Sequence, residues 1–213
     1  GNAPLAAVLE AAQAIKADIV LLTGDIFEHN RLNATILERT RDVLAAARLP
    51  VVMLPGNHDP LMRGSVWDRG ALSSIDNVHV LGEESDLATF TAFDLEIWGR
   101  AHEDYNEINP LEGAPKKTAR RQIVAGHGHF AEERTPAGKP GPGWLFTPED
   151  IDATDADYVA LGHWNRKVQV GGGDVPAWYS GSPDYAETVN VIRLTSSNKV
   201  EISHSPVEGP PEI

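Results

Sequence analysis

The sequence predicts an α/β fold with parallel strands, and three features carry that expectation. Helical periodicity alternates twice with short strand-like runs near the start of the chain. Those runs are apolar throughout rather than every second residue, and later strand candidates run straight into Gly-His.

Leu5, Val8, Leu9, Ala12 and Ile15 recur at helical spacing after a cap at Asn2, with Pro4 in the first turn, where a missing N–H is tolerated. The run ADIVLLTGD (17–25) follows as a strand of the kind a sheet covered on both faces requires, and it ends in Gly24 and Asp25. Ile36, Leu37, Thr40, Val43, Leu44 and Ala47 form a second helical face. Pro50 breaks it, and VVMLPG (51–56) is the second buried strand. Two helix-strand units in tandem imply parallel strands joined by crossovers. Both strands then end on one sheet edge, where open α/β folds bind ligands, and Asp25 and Asn57 are expected to face each other there.

Further strands are expected at 93–99 (FDLEIWG), 121–126 (RQIVAG) and 157–162 (DYVALG), followed by His102, His127 and His163. The stretches Asn106–Lys117 and Thr135–Pro148 are rich in Pro, Gly and charge and read as long surface loops. The last third reads as β-rich, with VPAWYSG, VNVIRL and KVEISH separated by turn residues, and VEGPPEI as a frayed or extended tail. The expected organisation is one domain over residues 1–200, with a strand end and tail over 201–213.

Composition narrows the chemistry. With 213 residues the chain can bury a sizeable core, and no apolar run is long enough for a membrane span, so a cytoplasmic protein is expected. The absence of cysteine removes disulfides and thiolate metal sites. The formal charge of −13 sets the average field against polyanions, which argues against a protein that coats nucleic acid.

The stretch LPGNHDP (54–60) places Asn57, His58 and Asp59 in a row at a strand end. Taken singly, each feature has an ordinary explanation: Asp25 as a turn or helix cap, Asn57–Asp59 as an Asx turn, His127 and His163 as satisfied loop histidines. Their order along the chain is more specific. LLTGDIFEHN, LPGNHDP, IVAGHGHF and DYVALGHWNR resemble successive motifs of the calcineurin-like metallophosphoesterases, particularly the Mre11/SbcD-type exonuclease branch, and YSGSPDY (179–185) fits that branch as well.

That resemblance implies a four-layer αββα sandwich in which loops leaving consecutive sheet strands hold two divalent metals. Asp25 would bridge them, and Asn57, His127 and His163 would complete one position. One carboxylate, one amide oxygen and two imidazoles suit manganese first, then iron or zinc, ahead of magnesium. His58 matches the family's proton donor or phosphate-contacting histidine, and Asp59 the carboxylate that orients it. Hydrolysis would use water acidified between two cations, with His58 assisting the leaving oxygen.

Two departures matter. The family pattern opens with an Asp-x-His strand, and no Asp-x-His occurs here; Asn165 stands where Gly-His-x-His would place another ligand to the first metal. One tightly bound ion is therefore expected. Arg63, Arg100 and Arg166 are candidates for steering phosphate, and His129 is placed beside the site or on the surface. His29, His79, His102 and His204 are assigned structural roles. The expected activity is metal-dependent hydrolysis of phosphodiesters, with DNA ends and an SMC-like ATPase partner implied by the branch. The acidic balance favours a small phosphodiester, or DNA held mainly by the partner. A catalytically impaired single-metal binding module is the alternative from another class.

Overall fold

The computed structural model describes residues 3–135, 139 and 141–207. The first unit is helix α1 (Ala3–Ala14) and strand β1 (Val20–Thr23), the second α2 (Ala34–Ala46) and β2 (Val51–Leu54). The expected cap at Asn2 lies outside the described residues. Helix α2 opens on Asn33, whose side chain accepts the Ile36 N–H at 3.0 Å and so satisfies one of the free donors of the first turn. After it come α3 (Val66–Gly70), β3 (Val78–Val80), β4 (Leu87–Phe90), β5 (Leu95–Gly99) and β6 (Arg121–His127). The chain continues through β7 (His129–Phe130), β8 (Leu145–Phe146), α4 (Pro148–Ala153), β9 (Tyr158–Gly162), β10 (Val168–Val170) and β11 (Ala177–Tyr179). It closes with α5 (Pro183–Ala186), β12 (Thr188–Leu194) and β13 (Val200–Pro206). The expected tail beyond Val207 lies outside the described residues.

Strands β1 and β2 pair in parallel, Val20 beside Val51 through Thr23 beside Leu54, as the tandem units predict. Strand β3 extends this sheet to three parallel strands. The second sheet has six strands in the order β10-β11-β9-β6-β5-β4, parallel through β11, β9, β6 and β5 and antiparallel at both edges. Strands β12 and β13 form a separate antiparallel hairpin. Strands β3, β4 and β8 and helix α3 lie in stretches that gave no pattern, because elements of two to five residues are too short to display a period.

Three buried clusters correspond to the three seams of a four-layer αββα sandwich. The first joins α1 and α2 to the three-stranded sheet through Val8, Leu9, Leu37, Leu44, Val51 and Met53. The second lies between the sheets, where Val52 and Leu54 of β2 meet Ile97 of β5 and Ala125 of β6. The third covers the far face of the larger sheet with Phe146 and Ile151 against Val124, Val159 and Tyr179. Strand β2 is buried at all four positions, as its continuous apolar run requires.

The four loops leave consecutive strands in pairs, from two different sheets. Two leave β1 and β2 in the small sheet, and two leave β6 and β9 in the large one. Face-to-face packing of the sheets, not lateral pairing, brings the two pairs together. Among the described residues no helix is long and apolar enough to cross a membrane.

Candidate metal centre

Each strand exit is shaped so that one polar side chain reaches the space between the sheets. After β1 the chain turns through two left-handed residues, Gly24 at φ 90° and Asp25 at φ 51°. A Cβ on Gly24 would overlap Nδ1 of His127, so this glycine makes room for an imidazole on the opposite sheet. After β2, Asp59 folds back under its own loop. Its Oδ1 accepts the Gly56 N–H at 2.7 Å, and its Oδ2 accepts the Phe27 N–H at 3.0 Å from the loop after β1. The His58 N–H donates to Asp25 Oδ1 at 2.9 Å, a third tie between these two loops.

His127 is the last residue of β6 and is fully buried. Its Nδ1 lies 2.8 Å from the Thr23 carbonyl, which fixes the tautomer and leaves Nε2 facing the cluster. Nε2 is 3.1 Å from Asp25 Oδ2 and 2.9 Å from Asn57 Oδ1. His163 follows β9 with φ 106°, a strained conformation for a side chain of this size, and its Nδ1 is 3.1 Å from Asn57 Oδ1. The ligand-type atoms of Asp25, His127 and His163 all lie within 4.8 Å of one another.

This convergence has an electrostatic meaning. Two oxygen acceptors approach the nitrogen that the Thr23 contact leaves without a proton, a repulsive arrangement unless a proton or a metal cation occupies the space between them. Burial alone would lower the pKa of His127, but the hydrogen bond to Asp25 and the charge of Asp25 hold it above its ordinary value. Asp25 is held below the usual carboxylate range: burial raises it, and the contacts with His127 and the His58 N–H outweigh that. Burial first, and then the charge of His127, bring His163 down to about 4, so it is a neutral imidazole with a free lone pair. A carboxylate, an amide oxygen and two imidazoles, one locked by a backbone carbonyl, fit a single divalent cation.

A pH dependence follows. The proton that His127 holds in the metal-free protein must leave when a cation binds, whereas Asp25 and His163 have already lost theirs. Affinity for manganese is expected to rise by roughly tenfold per pH unit up to the raised pKa of His127 and to level off above it. Manganese titrations over a pH series, with proton release measured alongside, check both slope and sign. An affinity flat from pH 5 upwards contradicts the coupling.

The other expected site residues fall elsewhere. Asp59 is fully buried, and burial raises it to about 7 against the pull of its two backbone N–H partners. The expectation that it orients His58 is corrected: both its oxygens are committed to Gly56 and Phe27, and it braces the loops instead. The His58 ring is exposed, with no hydrogen bond to Asp59 among the described residues. Asn165 is also exposed; its backbone carbonyl accepts the Ser182 N–H at 3.2 Å, and its side chain makes no hydrogen bond to the four converging residues. Arg100 is paired with Glu112 at 2.9 Å, Arg166 lies 4.9 Å from the Trp164 ring centre, and Arg63 is exposed on the loop beyond Pro60.

His102, assigned a structural role from sequence, lies directly behind the cluster. It is buried, its Nε2 is 2.8 Å from the His127 carbonyl, and burial brings it down to about 4. The available signal was its place just beyond β5, on the same sheet edge as His127. His129 lies beside the centre, with its ring 6.1 Å from that of His163 and its Nδ1 accepting the Trp164 indole N–H at 3.2 Å.

Comparison with known proteins bears on the family and the fold. The sequence model of the family described as calcineurin-like phosphoesterase matches residues 1–167. No curated protein sequence matches the chain. Among solved structures, TT1561 of Thermus thermophilus superposes with a TM-score of 0.61 at 15% identity, covering 96% of this chain and 93% of that one. A putative 5'-nucleotidase from Staphylococcus aureus, solved with alpha-ketoglutarate, also gives 0.61 at 17% identity, covering 93% of this chain and 48% of that one. At these identities the two structures establish a shared fold.

Proposed function

Because this chain belongs to the calcineurin-like phosphoesterase family, whose members are metal-dependent hydrolases of phosphoesters, we propose that it cleaves phosphodiester bonds at the centre formed by Asp25, Asn57, His127 and His163. The observation that carries this reading is the approach of Asp25 Oδ2 and Asn57 Oδ1 to His127 Nε2, at 3.1 and 2.9 Å. A bound divalent ion, manganese ahead of iron or zinc, supplies charge stabilisation at the phosphoryl group and acidifies water.

The chain's own residues do the rest. Asn57 and His163 meet at 3.1 Å and, with Asp25 and His127, would hold the ion. His58 projects from the same loop into solvent, where its imidazole can hand a proton to the departing oxygen. Its main-chain N–H, not its ring, contacts Asp25, so the ring and the metal ligands are separable.

The test is manganese-dependent turnover of bis-p-nitrophenyl phosphate by the wild type and His58→Ala. The variant is expected to keep its manganese content and to lose roughly 10²-fold to 10⁴-fold in turnover. Loss of metal in His58→Ala would show that His58 supports the ligand set and is not a proton donor. Manganese bound by a wild type that shows no turnover would favour the single-metal binding module.

A small phosphodiester is favoured over DNA by the net charge of −13 and by the engagement of Arg100 with Glu112 and of Arg166 with Trp164. DNA ends, with an SMC-like ATPase supplying the basic surface, are the second reading, drawn from GDIFEHN and GSPDY. Release of nucleotides from linear DNA at a rate matching the small diester would reverse this order.

A further inference from the structure

Two tryptophans stand beside the centre, and among the described residues only Trp164 has a partner stacked on its face. Trp164 stacks on Tyr179 with ring centres 4.5 Å apart and an 11° tilt, and the guanidinium of Arg166 lies 4.9 Å from its ring centre. Trp144 is different. Its indole meets His102 and His163 at ring-centre distances of 5.5 and 6.0 Å, both nearly perpendicular, and it is half-buried.

The backbone that presents this indole is strained. Trp144 has φ 55°, a conformation that bulky residues rarely adopt. Three bonds impose it: the Trp144 N–H donates to Glu107 Oε2 at 2.7 Å, its indole N–H to the Asn106 carbonyl at 3.0 Å, and its carbonyl accepts the His129 N–H at 3.0 Å. A Cβ on Gly128 would overlap the Trp144 carbonyl, so the residue after His127 is shaped around this placement as well. A large ring held in a strained backbone beside a candidate metal ligand, with part of its surface in water, is poorly explained by core packing.

We infer that Trp144 is a stacking platform for a planar aromatic ring carried by the phosphoester substrate, and so sets substrate preference at the centre formed by Asp25, Asn57, His127 and His163. The indole stands 6.0 Å from the His163 ring, so an aromatic group joined to a phosphoryl group at the centre, directly as in an aryl ester or through a sugar as in a nucleotide, would meet Trp144. Aromatic stacking of this type tolerates different bases and is lost when the platform is truncated. The inference rests on the phosphoester reading of the site.

Calorimetric titration in manganese chloride with adenosine 5'-monophosphate and ribose 5-phosphate, which differ only in the base, tests it without turnover. The wild type is expected to bind the nucleotide roughly tenfold more tightly. Trp144→Leu should erase that difference and leave ribose 5-phosphate binding unchanged, while Trp144→Phe retains most of it. Equal affinities in the wild type, or a preference that survives in folded Trp144→Leu, would overturn the inference alone. If neither compound nor inorganic phosphate binds in manganese, the phosphoester reading fails and takes this inference with it. Phenyl phosphate against methyl phosphate separates the two sources of the ring: an equal gain marks a general aryl site, and a gain confined to the nucleotide marks a nucleobase site.

Discussion

Replacing His127 by alanine is expected to lower manganese affinity by more than roughly a hundredfold and to abolish phosphoester hydrolysis at limiting metal. Its Nε2 meets both Asp25 and Asn57, and its Nδ1 is held 2.8 Å from the Thr23 carbonyl, so one truncation removes a ligand and the link between the two sheets. The half-buried Thr23 carbonyl and Asp25 carboxylate each lose a partner, which destabilises the metal-free protein as well. Equilibrium dialysis with metal analysis, and a melting curve on the same sample, separate lost affinity from lost fold. His129→Ala is the matched control. That ring lies beside the centre and outside the converging set, and its loss should leave manganese affinity nearly unchanged. Retention of tightly bound manganese by folded His127→Ala would remove the basis for the proposed centre.

The second large effect concerns a residue with no chemistry of its own. A methyl group on Gly162 would overlap the Thr23 carbonyl oxygen and press on Nδ1 of His127. Gly162 pairs with His127 across β6 and β9, directly behind the cluster. Backbone opposes backbone here, so no rotamer change relieves the clash, and Gly162→Ala is expected near the upper end of overpacking costs, about 3 kcal/mol. For a chain of this length that is a fall of roughly 6–12 °C in Tm. Manganese affinity should fall with it, because the Thr23 carbonyl that sets the His127 tautomer is displaced. Gly172→Ala is the control: a Cβ there meets nothing within 4 Å, and the change should stay within about 0.5 kcal/mol. Equal melting temperatures for the two variants would mean that the sheets are free to separate at Gly162.

The glycines and histidines of the motifs were legible in the sequence for different reasons. Asp25, Asn57, His127 and His163 stand at strand exits that hydrophobic patterning alone identifies, and the same patterning predicted the parallel pairing of β1 and β2. The resemblance implies that Asp59 orients His58. In space its carboxylate is drawn to the unpaired N–H groups of Gly56 and Phe27, which burial would otherwise leave unsatisfied. His102 was passed over because no motif surrounds it; its position beyond β5 acquires meaning only when β5 lies beside β6.

The sequence by itself determined the α/β class and the buried character of its strands, because hydrophobic period and turn chemistry are local properties of a chain, and it singled out four polar residues at strand ends only through the resemblance that the order of its motifs carries. Tertiary structure alone decided that two of those residues belong to one sheet and two to the other. It also decided that Thr23 holds the His127 tautomer, that Gly24 and Gly162 must lack side chains, and that the Trp144 ring stands beside His163. All but the last depend on how closely two sheets pack face to face, a distance set by the side chains of both layers, and the last on how the loop before β8 folds over the exit of β9; none is written in a single stretch of the chain.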